Sequence, residues 1–465
     1  HLSIRRQRQM CIRDRLEGEY IIMGNKFVII GAGSTHTPGI LAALTAKADE
    51  IKMSELCLHD IEYDRVYHMG EFNRIYMSEH RPDIKTSWTT DLKEALTGAD
   101  YVFIQIRPGR NEQRAVDEHT CYKHGLIGQE TCGLGGFAFA LRTIPAILEI
   151  VKTALEVCPN AWLLNYSNPE AMVSEAVYRT YPQAKMLCIC DMPISQQEQV
   201  AAYLGYDEKD LTFKYFGLNH FGWYTNIYNK KGEDLLPQLR EDVLSGKVTG
   251  LSASQDAGKL DDYWFKTFNN VIKGFKAYPD FMPLCYLQYY YFHDEMMEQF
   301  DHEFTRADSV LAGREITVYQ ECKRVIETQS AKDSYLISGV HGNYIVDLAS
   351  SIINDKRERF IVNVMNNGAI GNFNHDAVVE VPCYVGASGV EPVAVGYIPQ
   401  FHKSLMEAQK GYEKLAVEAC LEGSYDKALQ AILLNKTVPS YRKGKEVLDD
   451  FLELNKDYWN PKFYK

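Results

Sequence analysis

Nowhere do about 18 apolar residues run uninterrupted, the length a membrane helix needs, in this chain of 465 residues. The best candidate, residues 137–151, is broken by Arg142, Thr143 and Pro145, so no membrane partner is expected. No long apolar core follows the N-terminal arginines, and no signal peptide is expected. Glycine (32) and proline (16) are too scarce for a fibrous or low-complexity chain. Basic charge is in deficit: Lys+Arg 50 against Asp+Glu 62 leaves −12, which argues against nucleic acid as a partner. Eleven cysteines, an odd and sparse number, exclude a disulfide scaffold and point to free thiols in a reducing cytoplasm.

What is present is the balance of an ordinary globular protein, 46% hydrophobic and 24% charged. Residues 1–22 begin HLSIRRQRQMCIRDR, basic and aperiodic. They are expected to be an artefactual or disordered extension with Met23 as the true start; a basic targeting arm is the competing reading.

From residue 26 the chain alternates strand and helix patterns. Residues 26–30 (KFVII) form a continuous β-branched run, and similar runs fall at 55–59, 85–89, 101–106, 161–166 and 185–190. Helical periodicity marks 41–48, 144–156 and 169–178 between them. Such alternation predicts an α/β fold, a Rossmann-type parallel sheet over residues 23–193. Beyond it the rhythm shifts to strands at 212–218 and 223–228 and long helical stretches at 307–327 and 405–434. A mixed α+β domain of residues 194–465, covering the carboxyl ends of the first sheet, is expected, an architecture like that of lactate and malate dehydrogenases.

The first strand runs into Gly31-Ala32-Gly33-Ser34-Thr35, where backbone N–H groups and a helix N-terminus can receive a pyrophosphate. The third position of the usual glycine pattern is His36, so a tight structural turn is the alternative. Asp60 closes the next strand, placed to accept hydrogen bonds from a ribose. With no basic residue beside it in sequence, it favours NAD over NADP.

Further motifs follow: Gly128-Gln-Glu-Thr-Cys-Gly133, Asn165-Tyr-Ser-Asn-Pro169, Cys190-Asp-Met-Pro193, Gly217-Leu-Asn-His-Phe-Gly-Trp223, Tyr286-Leu-Gln-Tyr-Tyr290 and Asn366-Asn-Gly-Ala-Ile370. In this order they resemble glycoside hydrolase family 4, the NAD- and metal-dependent glycosidases, from about residue 26 to the C-terminus. Asp191-Met192-Pro193 resembles the 6-phospho-α-glucosidase branch, which acts on maltose 6′-phosphate and related α-glucoside phosphates. The resemblance implies a route unlike the two-carboxylate glycosidases. NAD takes a hydride from sugar C3, a base removes the acidified C2 proton, and the 1-O group leaves by elimination. Water then adds and the hydride returns, so NAD is not consumed. A divalent metal, by resemblance Mn²⁺, stabilises charge on the C2 and C3 oxygens. A homodimer or homotetramer is implied as well, with residues 194–465 carrying substrate, metal and oligomer contacts.

By the same resemblance Cys190 and His220 are the metal ligands, Asp191 the general acid and Tyr286 the base at C2. Arg114, Asn168 and Arg306 are the substrate contacts, with Arg306 the best candidate for the phosphate. Each has a plainer reading from the residues alone. Cys190 could end a buried strand and His220 be a core histidine; Asp191 could cap the helix after it. Tyr286 could belong to an aromatic cluster with Tyr289, Tyr290 and Tyr291. Arg107 and Arg110 read better as solvated surface charges than as pocket residues. Two rival functions remain open: an NAD-dependent 2-hydroxy-acid dehydrogenase of the malate or lactate type, and a non-catalytic sugar-phosphate sensor.

Overall fold

The computed structural model describes residues 24–251, 262–338 and 342–465; the expectations for residues 1–22 and Met23 lie outside the described residues. The predicted N-terminal strands form as β1 (Asn25–Ile30), β2 (Met53–His59), β3 (Lys85–Thr89), β4 (Tyr101–Ile104), β5 (Trp162–Asn165) and β6 (Met186–Cys188). They pair in parallel in the order β3-β2-β1-β4-β5-β6, the doubly wound nucleotide-binding order. Both faces are covered. Phe27, Ile29, Leu56, Leu58, Phe103 and Leu164 point into one core cluster, while Val28, Ile30, Cys57, Val102, Ile104 and Leu163 point into the other. This period-two split explains why the strands read as unbroken apolar runs.

The connecting helices bearing on the site are α1 (Thr37–Ala46), α2 (Tyr63–His80), α3 (Arg110–Lys123), α4 (Leu134–Val157), α5 (Glu170–Thr180) and α6 (Met192–Leu204). By length and composition α4 is apolar enough to cross a membrane, yet 78% of its most apolar window is buried inside the protein. Helical periodicity marks only 144–156, whereas α4 begins ten residues earlier and passes through Pro145. The Leu141 carbonyl, which a proline four residues on leaves without a donor, accepts instead from the Cys420 thiol at 3.7 Å. Arg142, 3% exposed, is paired with Asp117 and hydrogen-bonded to Asn455.

The C-terminal half extends the same sheet. Strands β7 (Leu211–Leu218), β8 (Phe221–Asn229), β9 (Met282–Pro283), β10 (Glu358–Met365), β11 (Val378–Gly386) and β12 (Gly389–Pro392) complete it. β6 joins β10 antiparallel at Cys188↔Asn363, followed by β11, β7, β8 and β9, with β12 on β11. The long helical stretches are each split at a glycine. Gly313 separates α7 (Arg306–Ala312) from α8 (Arg314–Thr328), and Gly423, at φ +70°, separates α9 (Gln400–Glu422) from α10 (Tyr425–Leu434). With α11 (Tyr441–Leu454), α9 and α10 supply residues to the second core cluster and so cover one face of the N-terminal sheet. The C-terminal half therefore does more than cap the carboxyl ends, as the sequence had suggested. Asn363 forms the edge pair that short β6 needs, and Tyr412, Ile432 and Phe451 fill the face that α4 leaves open.

Candidate active site

One cavity of about 1680 Å³ runs along the carboxyl ends of the parallel strands. At one end lies the loop between β1 and α1. Gly31 has φ +79°, and a Cβ there would stand 2.6 Å from the Gln105 carbonyl oxygen, so only glycine fits. Ala32 is buried below the surface and donates its N–H to the His59 carbonyl. Gly33, Ser34 and Thr35 line the cavity with Gly31 and Asp60.

Asp60 is already engaged: Oδ2 accepts from the Gly33 N–H at 2.9 Å and Oδ1 from the Glu62 N–H at 3.0 Å. The Gly33 carbonyl is clamped by Arg65 Nη2 and the Tyr319 hydroxyl, each at 2.6 Å. Arg65, paired with Glu315 and five residues beyond Asp60 in sequence, thus lies near the Asp60 carboxylate in space. A Cβ on Gly33 would fill this cradle, standing 2.8 Å from Asp60 Oδ2.

At the centre, Cys190 follows β6 and His220 occupies the two-residue turn between β7 and β8. Cys190 Sγ stands 3.2 Å from His220 Nε2, and both residues are buried. Burial pushes His220 down to about 4, against the nearby Glu130 and Asp191 charges, so its imidazole is neutral at pH 7 and able to ligate. Among the described residues no cluster of three or more His, Cys, Asp or Glu forms a complete metal cage. A cation here would have two protein ligands and open positions for substrate oxygens and water, which fits a Lewis-acid site. Asn168 Oδ1, buried on the cavity wall without a hydrogen-bond partner, is a further oxygen awaiting one.

Tyr286 sits in a 3-10 turn (Cys285–Leu287), its ring 4.3 Å from that of His220. It belongs to the aromatic cluster, 6.1 Å from Tyr289, and also lines the cavity. Burial pushes its phenol well above the ordinary value. Asp191 occupies the N-cap position of α6, but its carboxylate makes no capping hydrogen bond and lines the cavity.

Four arginines of the cavity wall, Arg306, Arg114, Arg107 and Arg314, lie close enough for their charges to act on one another. Arg306 opens α7 beneath a Thr305/Asp308 capping box and stacks over the Tyr263 ring at 4.9 Å. Arg114 donates from Nε to Glu118 at 2.7 Å and lies 3.3 Å from Glu130. Arg107 pairs with Glu130 on the cavity wall, which overturns its reading as a solvated surface charge; the carboxylate draws it in. Arg110 stays at the rim, bound to Glu62 and Glu112 and 44% exposed. Arg314 is the fourth: burial and the guanidiniums of Arg306, Arg107 and Arg114 push it below its ordinary value. Glu130 is half-buried, and desolvation disfavours its charge, but Arg107 and Arg114 prevail and hold its carboxyl down at about 2.

Glu130 and Arg314 were not singled out in the sequence. Glu130 lies inside the Gly128–Gly133 motif, and Arg314 opens the helix that follows the one Arg306 opens. The structure brings every sequence-predicted site residue except buried Ala32 to this cavity wall.

The sheet order and the glycine turn define a doubly wound dinucleotide-binding protein. Residues 26–206 match the family 4 glycosyl hydrolase domain and residues 215–438 the family 4 glycosyl hydrolase C-terminal domain. A 6-phospho-alpha-glucosidase of Leptotrichia buccalis is 45% identical over 433 residues, 93% of this chain and 98% of its own. A maltose-6′-phosphate glucosidase of Bacillus subtilis is 43% identical, over 93% of this chain and 96% of its own. The solved structure of a 6-phospho-alpha-glucosidase from gut microorganisms, in complex with NAD and Mn²⁺, superposes with a TM-score of 0.90. It is 40% identical and covers 94% of this chain and 99% of that one. The chain belongs to glycosyl hydrolase family 4.

Proposed function

We propose that this chain is an NAD- and divalent-metal-dependent 6-phospho-α-glucosidase. It hydrolyses α-glucoside 6-phosphates such as maltose 6′-phosphate to glucose 6-phosphate and the aglycone. The observation that carries this reading is near full-length identity of 45% and 43% to enzymes named for that activity. Four cavity-wall arginines support the phosphorylated substrate, because they leave positive charge in excess of the Glu118 and Glu130 carboxylates. A 2-hydroxy-acid dehydrogenase is not favoured: the relatives are hydrolases, and such a reaction gives the Cys190–His220 pair no task.

Gly31, Gly33, Ser34, Thr35 and Asp60 would hold NAD, while Ala32, buried with its N–H bonded to the His59 carbonyl, would only shape the turn beneath it. Cys190 and His220 would hold the metal, Mn²⁺ as in the relative. When bound, NAD supplies a reversible hydride acceptor for C3, and the cation supplies positive charge at the C2 and C3 oxygens. Arg306 and Arg114 hold the 6-phosphate and Asn168 orients the ring hydroxyls. Tyr286 Oη takes the C2 proton; its buried phenol ionises only beside positive charge. The Asp191 carboxyl donates a proton to the leaving oxygen, then helps to deprotonate the incoming water. The enzyme would work in the cytoplasm as a homodimer or homotetramer. Ten buried free cysteines among the described residues suit a reducing compartment.

The test is nitrophenol release from the α- and β-anomers of nitrophenyl glucoside 6-phosphate with NAD, Mn²⁺ and a thiol reductant, each omitted in turn. The α-anomer turns over, activity vanishes without NAD or Mn²⁺, and no net NADH appears. Turnover of the β-anomer alone overturns the substrate branch, and NADH accumulating from a hydroxy acid restores the dehydrogenase alternative.

A further inference from the structure

The turn that carries His220 is held from behind by a buried carboxylate that takes no part in the chemistry above. Glu380 lies on β11 where that strand meets Gly217 of β7, and it is fully buried. Its Oε2 accepts from the Tyr215 hydroxyl at 2.6 Å, and its Oε1 accepts from Asn219 Nδ2 at 2.8 Å. Asn219 is the first residue of the two-residue turn, and His220 the second, at φ +64°. The left-handed region is unfavourable for a residue with a Cβ, so the hydrogen bond to the turn helps to hold it. Two glycines make room for the network. A Cβ on Gly222 would stand 2.0 Å from the Tyr215 hydroxyl, and one on Gly217 would stand 2.4 Å from the Gly222 Cα. The pairing Gly217↔Gly222 on β7 and β8 thus lets the Tyr215 ring cross the hairpin and reach Glu380.

We propose that Glu380 is a positioning residue of the metal centre: bonded to Asn219, it fixes the turn that aims His220 Nε2 at Cys190 Sγ. The inference rests on the reading of Cys190 and His220 as metal ligands. Partners that orient a ligand in this way typically account for about 10–100-fold of metal affinity. A merely structural role would instead lower stability while leaving metal affinity unchanged.

The experiment titrates the full chain, with NAD bound, against Mn²⁺ and follows free Mn²⁺ by electron paramagnetic resonance; NAD affinity and melting temperature are measured alongside. Wild type is compared with Glu380→Leu, Asn219→Ala, Glu380→Gln and His220→Ala. Glu380→Leu and Asn219→Ala raise the Mn²⁺ dissociation constant about 10–100-fold with NAD affinity unchanged. Glu380→Gln, whose amide can accept from Asn219 and donate to Tyr215, stays within about threefold of wild type, the conservative rescue that orientation predicts. Should Glu380→Leu fail to fold, Asn219→Ala carries the test, since it cuts only the link to the turn. Undiminished Mn²⁺ affinity in Asn219→Ala and Glu380→Leu, while His220→Ala loses it, overturns the role of Glu380 and leaves the metal ligands standing. Equal loss of NAD and Mn²⁺ affinity overturns it too. A wild type that binds no Mn²⁺, or a His220→Ala variant that binds as well, overturns the metal reading and this inference together.

Discussion

Burial acts on individual groups here with opposite consequences for their charge. It pushes Glu380 up to about 7 despite two hydrogen bonds, and His220 down to about 4. Glu380 is raised in the fold, so its contribution to stability is fully present below about pH 4.5 and is lost as pH rises through 7. His220 is depressed, and its contribution falls as pH drops from about 6.5 to 4. Replacing Glu380 by glutamine removes only the first effect. In metal-free protein, Glu380→Gln and wild type should melt alike at pH 5. At pH 8 the variant should be the more stable, by on the order of 2 kcal/mol. A gap constant from pH 5 to 8 would refute the assigned burial cost. At the same scale, Arg306→Ala should raise KM for the phosphorylated substrate by about 10–100-fold through loss of a charged hydrogen-bond donor. An unchanged KM would move phosphate recognition to the other arginines. Residues inside contiguous motifs, such as Cys190, Asp191 and Tyr286, were legible in the sequence because their neighbours mark them. Glu380 was not, because Tyr215 is 165 residues and Asn219 161 residues from it, and only the folded sheet joins them.

Local backbone demands decide which features of an element the sequence announces. The first strand and its glycine turn could be read directly, since buried β-branched residues followed by Gly31 leave few alternatives. Gly31→Ala should cost about 1–3 kcal/mol in urea unfolding, because alanine would meet both the φ of +79° and the Gln105 carbonyl. It should also weaken NAD binding, measured by fluorescence titration. Wild-type stability and NAD affinity in this variant would contradict the assigned turn. The helices were less legible. Periodicity marks only 144–156, yet α4 begins at Leu134, and a cysteine from α9 satisfies the carbonyl that Pro145 frees. Periodicity ran through Gly313 and Gly423, where the chain stops one helix and starts another.

Over the whole molecule, a single sheet unites what the sequence divides into a Rossmann-type half and a mixed half. The parallel order of six strands follows from strand–helix alternation, but the antiparallel join of β6 to β10 spans 175 residues and has no local signal. That join places the β7–β8 turn over the carboxyl ends of the parallel strands, so His220 meets Cys190 and Tyr286 meets His220. The dinucleotide loop, the thiol–imidazole pair and the four arginines consequently share one cavity. This placement is what allows oxidation at one sugar carbon to assist departure at another, and it makes the C2 proton the most informative atom. The decisive measurement is hydrolysis of maltose 6′-phosphate in D₂O, with the recovered glucose 6-phosphate examined by nuclear magnetic resonance. The account predicts deuterium at C2, delivered from solvent after Tyr286 has removed the original proton. Product that retains its C2 proton throughout would contradict the elimination route and the role given to Tyr286.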